Sequence, residues 1–107
     1  MAAGMMKELA PIEGVDVRIA ESLPPQYFVD VKYGLPSGCA KPGGYEVARD
    51  GERIVVKVFY LRPSDPNVIC TMIYGIGTHS VPLGSDFTAG TTYTVDVNGT
   101  TKTFTAQ

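Results

Sequence analysis

Cys39 and Cys70 carry the most specific chemistry in this chain of 107 residues. Two cysteines can form a disulfide, contribute to a zinc site or remain as buried thiols. Zinc requires about four ligands, and the chain has one histidine and no Cys-x-x-Cys motif. The residue types therefore disfavour a metal site and leave both a disulfide and two buried thiols open.

The single histidine, His79, precedes Ser80, and Asp86 follows nearby in the sequence. Nucleophilic catalysis requires three such groups to meet in space beside an oxyanion hole, and proximity in sequence does not supply that geometry. A solvated histidine is common at the start of a strand after a glycine turn, which is where the sequence places His79. We therefore predict no catalytic residue and no enzymatic activity.

The remaining motifs have simpler structural explanations. The carboxylates never reach the spacing of a calcium loop, and no helix follows Gly75-Ile76-Gly77 to form a phosphate site. Asn98-Gly99-Thr100 matches a glycosylation acceptor, but a tight turn requires the same residues. We expect no metal and no cofactor.

Composition limits the classes of partner. The net charge is −2 and the isoelectric point is about 5.2, so no basic footprint for nucleic acid is expected. No apolar run approaches the ~20 residues of a membrane-spanning helix, so membrane insertion is not predicted. An unidentified protein or glycan remains as the expected partner.

Twelve glycines and eight prolines interrupt the chain too often for long helices. Between them, apolar residues recur at every second position in stretches rich in Val, Ile, Thr and Tyr, which is the pattern of strands. The sequence predicts an all-β protein, a single β-sandwich of seven or eight mainly antiparallel strands. Residues 1–13 lack periodicity and are predicted to be a loosely ordered lead-in, and residues 14–107 form the domain.

The predicted strands are separated by Pro- and Gly-containing segments. They cover residues 15–19, 27–33, 45–47, 53–61, 68–74, 79–83, 92–97 and 100–105. Residues 34–44 are predicted to be a long loop, and Asp50-Gly51 a turn that places Val47 opposite Ile54.

Asn98-Gly99 is the strongest hairpin signal in the chain. It places Val97 opposite Thr100 and Tyr93 opposite Phe104, with one face apolar and the other lined by threonines. The predicted core consists of the residues in the predicted strands whose side chains alternate toward the interior: Val29, Val31, Val47, Ile54, Val56, Val58, Tyr93, Val95, Val97 and Phe104.

Two stretches resemble known families. Residues 87–97 resemble the tyrosine-corner segment of fibronectin type III and immunoglobulin-like domains. From Gly34 onward the chain is similar to a small sandwich module of exported bacterial proteins, in Gly34-Leu35-Pro36-Ser37-Gly38-Cys39, Arg49-Asp50-Gly51, Arg62-Pro63-Ser64-Asp65 and residues 90–104. This resemblance implies an immunoglobulin-like, disulfide-bearing module outside the cytoplasm, with no assigned activity. The absent tryptophan and the cysteine spacing depart from true immunoglobulin domains.

Strand parity is compatible with the disulfide that the resemblance implies. If successive strands are antiparallel, the loops after the second and fourth strands lie at one end of the sandwich, which brings Cys39 and Cys70 to that end. Disulfides are rare in the cytosol, so the bond would favour an extracytoplasmic location. The expected function is a non-enzymatic binding or structural accessory module. The alternative is a protease inhibitor that presents the loop 34–44 or 62–67.

Overall fold

A computed structural model describes residues 4–107 and contains strands but no helix within that range. The strands, in chain order, are β1 (Met5–Leu9), β2 (Ile12–Ala20), β3 (Gln26–Leu35), β4 (Lys41–Asp50), β5 (Arg53–Pro63), β6 (Gly75–Gly84), β7 (Thr92–Val97) and β8 (Thr100–Thr105). They form two packed sheets, which confirms the predicted β-sandwich.

The larger sheet is organised around β5. Strand β4 pairs with one edge of β5, while β1 and β7 share the other edge, and β8 lies outside β7. The smaller sheet has the order β2-β3-β6. Strand β7 runs parallel to β5, and the other pairings among the described strands are antiparallel.

The core consists of the inward-facing residues of β3, β5, β6 and β7. Its most completely buried side chains are Tyr27, Val29, Val31, Tyr33, Ile54, Val56, Val58, Val81, Val95 and Val97. The prediction for Val47 is wrong, because that side chain is 44% exposed. Strand β4 is an edge strand of the larger sheet, and most of its residues are exposed.

The β7–β8 hairpin confirms the predicted register, with Val97 opposite Thr100 and Tyr93 opposite Phe104. Asn98 and Gly99 have φ angles of 50° and 93°, the two positive values of a type I′ turn.

The β4–β5 hairpin has the predicted strands but a different turn. Asp50 pairs with Arg53, so the two loop residues are Gly51 and Glu52, and Val47 faces Val56 instead of Ile54. Gly51 has a φ of 61°, whereas Glu52 is not among the residues with positive φ, as in a type II′ turn with glycine first. The shift moves the register by two residues, so every side chain keeps its predicted face.

The N-terminal part differs from the predicted lead-in. Met5–Leu9 pairs with β5 from Pro63 to Phe59, and β2 begins at Ile12. Strand β1 carries no alternation in its sequence because four of its five side chains are exposed. The first three residues of the expected lead-in lie outside the described range.

The strand predicted over residues 68–74 is also wrong. This stretch pairs with no described strand, and β6 instead covers Gly75–Gly84, including the predicted Gly-rich turn. Both edges of β5 are already occupied, and β-propensity describes fitness for a pleated, half-buried surface that requires a partner. The predicted loop 34–44 shrinks to residues 36–40, because β3 continues to Leu35 and β4 begins at Lys41.

The molecule is elongated, with principal extents of 53 × 25 × 22 Å. One end, called here the disulfide end, is where β3 and β5 finish and where Ser64 N donates to Gly4 O. At the opposite end, where β3 begins, Gln107 N donates to the Tyr27 hydroxyl. Gly4 and Gln107 therefore lie at opposite ends of the sandwich.

Candidate functional site

A disulfide joins Cys39 to Cys70, with the two Cα atoms 5.4 Å apart. Cys39 lies in the short loop between β3 and β4, and Cys70 lies in the extended stretch Val68–Tyr74, called here the stapled segment. Both positions are at the disulfide end, because β3 and β5 finish there. The predicted pairing is thus confirmed.

The stapled segment starts from a turn that Asp65 closes. The Asp65 carboxylate accepts a hydrogen bond from Asn67 N at 2.9 Å, and the Asp65 carbonyl accepts one from Val68 N at 3.3 Å. Asp65 therefore acts as the turn former that its position between prolines indicates.

A close contact with the β3–β4 loop holds the middle of the segment. Gly38 N donates to Thr71 O at 2.9 Å, and a Cβ at Gly38 would collide with the Thr71 side chain. The glycine thus allows the two chains to approach, next to the disulfide.

Tyr74 anchors the end of the segment on the smaller sheet. Its ring occupies the space that a Cβ of Gly34 would need, and its hydroxyl donates to the Glu13 carboxylate. This hydrogen bond raises the pKa of Tyr74 above its usual value. The segment is therefore attached at its start, middle and end.

Between these attachments the segment exposes large apolar side chains. Ile69 is 95% exposed, Met72 91% and Ile73 68%. The half-exposed Met5 and Met6 of β1 are at the same end of the molecule. Several large apolar side chains left exposed at one end of a molecule are characteristic of interaction sites. The sequence signal is a β-branched run around a cysteine, and its pattern predicts a strand instead of an exposed segment.

A second surface feature is a polar groove of about 320 Å³ along β2, β3 and β6. Arg18 donates to Asp30 at 2.9 Å and to Ser80 at 2.8 Å, and Ser80 donates to Asp30 at 3.0 Å. The Arg18 hydrogen bond lowers the pKa of Asp30. Each polar group in this cluster already has partners within the protein.

The three residues considered for catalysis do not come together. Ser80 belongs to the hydrogen-bonded cluster with Arg18 and Asp30 on one face of β6. The His79 side chain points to the other face and stacks on Tyr33, with ring centroids 5.0 Å apart. Asp86 lies in the loop after β6, where its carbonyl accepts a hydrogen bond from Arg49. Neighbours in a strand point to opposite faces, so the His79–Ser80 adjacency cannot form a dyad.

His79 has an unusual environment. Its Nε2 atom is buried without a hydrogen-bond partner among the described residues, and Tyr45 packs edge-on against the ring. Burial lowers the pKa of His79, which favours the neutral imidazole packed between two tyrosines.

Asn98 proves to be more than a turn residue. Its side-chain amide donates to Ala10 O and Val58 O, each at 2.8 Å, and its side-chain oxygen accepts from Val58 N at 3.0 Å. The amide nitrogen that glycosylation would modify is engaged in the fold, which agrees with the structural interpretation of the Asn-Gly-Thr motif.

Neither a membrane-spanning helix nor a cluster of three potential metal ligands occurs within residues 4–107.

The fold and the stapled end define a small disulfide-bearing β-sandwich module. A family model described as the ORF11 beta-sandwich domain matches residues 29–106, nearly three-quarters of the chain, and the chain belongs to this family. Strands β1 and β2 precede the matched range. No curated protein and no solved structure matches the chain.

Proposed function

We propose that this chain is a non-enzymatic, extracytoplasmic binding or structural module that contacts another protein through its stapled segment. The observation that carries the proposal is the exposure of Ile69, Met72 and Ile73 on a segment attached by a disulfide. Apolar surface costs free energy in water, so its retention on an anchored segment favours a role in association.

The disulfide supports the extracytoplasmic location. Such bonds persist in oxidising compartments and are rare in the cytosol, where thiols are kept reduced. The Cys39–Cys70 bond closes a long stretch of chain, with a sequence separation of 31. A structural bond of this kind favours secretion or a cell-surface location.

We further propose that the module is of an immunoglobulin-like type, as in modules of exported bacterial proteins. The Tyr93 hydroxyl accepts a hydrogen bond at 2.9 Å from Thr88 N, five residues earlier in the chain, as in a tyrosine corner. The parallel pairing of β5 with β7 departs from the antiparallel sheets of immunoglobulin domains. The proposed relation therefore rests on the tyrosine corner and the sandwich layers.

Photo-crosslinking in the producing cells tests the binding role. A photoreactive benzoylphenylalanine at position 69 should give a discrete protein adduct. The same residue at position 23 should give none, because Leu23 is equally exposed but lies at the opposite end, in the β2–β3 connection. Absence of an adduct from position 69, or equal adducts from both positions, would contradict the binding role.

Alkylation under denaturing conditions, followed by intact mass measurement, tests the location. Protein taken directly from its cellular compartment should accept no alkyl group without reductant and two after reduction. Two groups added without reductant would mean free thiols and would remove the main support for an extracytoplasmic module.

A protease inhibitor is the second candidate. The stapled segment is extended, exposed and attached beside a disulfide, and such preorganisation lowers the entropic cost of entering a protease cleft. The two stretches that the sequence predicts for inhibition, 34–44 and 62–67, are less suitable. Arg62 and Pro63 belong to β5, and only residues 36–40 form the loop between β3 and β4. A panel of serine and cysteine proteases tests this candidate, and no inhibition at micromolar protein would reject it.

A further inference from the structure

We infer that the stapled segment forms a dimer by pairing antiparallel with the same segment of a second copy of this chain. The inference rests on the proposed function and names the partner of the same surface. It assigns the pairing a register centred on Thr71.

The backbone of the segment has one edge available for this pairing. From Val68 to Tyr74 it contains neither a turn nor a bend, and the Thr71 carbonyl faces Gly38. In an extended chain, peptide groups of successive residues point alternately to opposite sides. The peptide groups of Cys70 and Met72 therefore point away from the Gly38 loop, toward a potential partner strand.

A register centred on Thr71 uses those groups. It places Cys70 opposite Met72 of the second copy as a pair that exchanges both backbone hydrogen bonds. The two Thr71 residues then form the non-hydrogen-bonded pair, as the antiparallel ladder requires. The carbonyl already engaged by Gly38 is not needed.

The side chains suit self-pairing. In this register Ile69 of each copy faces Ile73 of the other, and β-branched cross-strand pairs of this kind stabilise antiparallel sheets. No residue from Val68 to Tyr74 is charged, so two identical segments meet without like-charge repulsion. A partner recognised by charge would have nothing to pair with here.

The exposed side chains are compatible with a small interface. Ile69, Met72 and Ile73 are 95%, 91% and 68% exposed, so pairing would remove apolar surface from water. Alternate side chains of a strand point to opposite faces, so edge pairing covers only part of this surface and the expected dimer is weak. The disulfide, the Gly38 contact and the Tyr74 anchor order the segment beforehand, which reduces the cost of association.

Sedimentation equilibrium on the oxidised full chain tests the inference at concentrations up to roughly 200 µM. The wild-type mass should rise toward twice the 11.5 kDa of one chain. Ile69→Asp and Ile73→Lys should each weaken dimerisation by about tenfold or more. Leu23→Asp makes the matched change at a fully exposed apolar residue at the opposite end and should leave dimerisation unchanged.

Mixing the two variants tests the register. In the inferred pairing Asp at position 69 of one copy faces Lys at position 73 of the other, while the wild-type isoleucines form the remaining pair. The Ile69→Asp and Ile73→Lys proteins should therefore associate with each other more tightly than either associates with itself. Failure of the mixture to associate would overturn the register.

The outcomes separate this inference from the proposed function. A wild-type protein that stays monomeric, or an Ile69→Asp variant that dimerises as well as wild type, would overturn self-pairing. If the monomeric protein is oxidised and crosslinks to another protein from position 69, the proposed binding role stands without self-association. Free thiols together with no adduct from position 69 would instead reject the proposed function itself.

Discussion

At the scale of single residues, the Asn98 side chain bridges a gap that the sheet topology leaves along one edge of β5. Strands β1 and β7 share one edge of β5, where β7 pairs with residues 53–56 and β1 with residues 59–63. The Asn98 side chain fills the gap between them by bonding both backbone groups of Val58. One carboxamide thus replaces a peptide group in the ladder, and the paired backbone of β5 continues across the junction.

Two substitutions at Asn98 separate its turn role from this bridging role. Asn98→Gly keeps the positive φ but loses three hydrogen bonds, so we expect a loss of about 1–3 kcal/mol in unfolding free energy. Asn98→Asp brings an acceptor against the carbonyls of Ala10 and Val58 and should cost about 3 kcal/mol or more. Urea unfolding measures both. An aspartate variant as stable as wild type would contradict the bridging role.

His79 should make stability depend on pH. Its pKa is lowered by burial, so between its folded value and the unfolded value of about 6.5 the unfolded chain binds more protons. Stability is therefore full above that unfolded pKa and falls as the pH drops below it. His79 is the only histidine, so no other imidazole contributes to this pH dependence.

Urea unfolding at pH 7.5 and pH 5 tests this dependence. Wild type should be less stable at the lower pH, and His79→Phe, which keeps an aromatic ring beside Tyr33, should lose less. Equal loss in both proteins would show that His79 is not the group responsible.

At the scale of elements, β6 shows why a glycine-rich stretch can be a strand. Gly77 pairs with Tyr33 of β3, and the Tyr33 ring lies where a Cβ on Gly77 would be. Glycine allows an adjacent aromatic side chain to cover the strand, which is one of its uses within sheets. Considered without the neighbouring strand β3, Gly75-Ile76-Gly77 indicates a flexible turn.

Gly77→Ala should therefore be destabilising. The added methyl group must displace the buried Tyr33 ring, and overpacking of this kind costs about 1–3 kcal/mol. Gly14→Ala is the matched control in the same sheet, because its added Cβ would lie 3.9 Å from Lys32 Cβ, an ordinary contact. We expect thermal unfolding to show a lower midpoint for the Gly77 variant alone. Equal midpoints for the two variants would exclude this contact as the reason for glycine.

At the scale of the whole molecule, the sandwich is a short rod with the disulfide at one end. Its radius of gyration over Cα atoms is 16.2 Å, compared with about 13 Å for a compact domain of this length. The staggered strand pairs on the two halves of β5 extend the larger sheet along its axis. The rod separates the stapled segment from the β2–β3 and β4–β5 turns at the other end.

Removing the disulfide should affect stability more than shape. Cys39→Ser with Cys70→Ser releases a long loop and should cost about 2–4 kcal/mol of unfolding free energy, while the strands retain their pairing. Small-angle X-ray scattering at low protein concentration should give a similar radius, near the elongated value, for this double variant and its oxidised parent, both carrying Ile69→Asp to weaken association. A radius near that of a compact sphere in either protein would contradict the rod.

The sequence alone determined the features that depend on neighbouring residues in the chain. The β7–β8 register follows from Asn98-Gly99, because φ angles and alternation are local properties that a two-residue turn expresses directly. The all-β class follows from the spacing of apolar residues for the same reason. The placement of Cys39 and Cys70 at the same end of the sandwich, which a disulfide requires, followed from the alternating direction of successive strands.

Only the tertiary structure determined which strand edges were available for backbone pairing. Val68–Tyr74 has the composition of a strand, but β5 has no vacant edge for it, and it lies exposed. Met5–Leu9 has no strand pattern, yet it pairs because half of one β5 edge was open. The bridging role of Asn98 and the opposite faces of His79 and Ser80 depend on the same long-range arrangement. Backbone pairing requires a partner as well as a propensity, and the partner is set by contacts between residues distant in sequence.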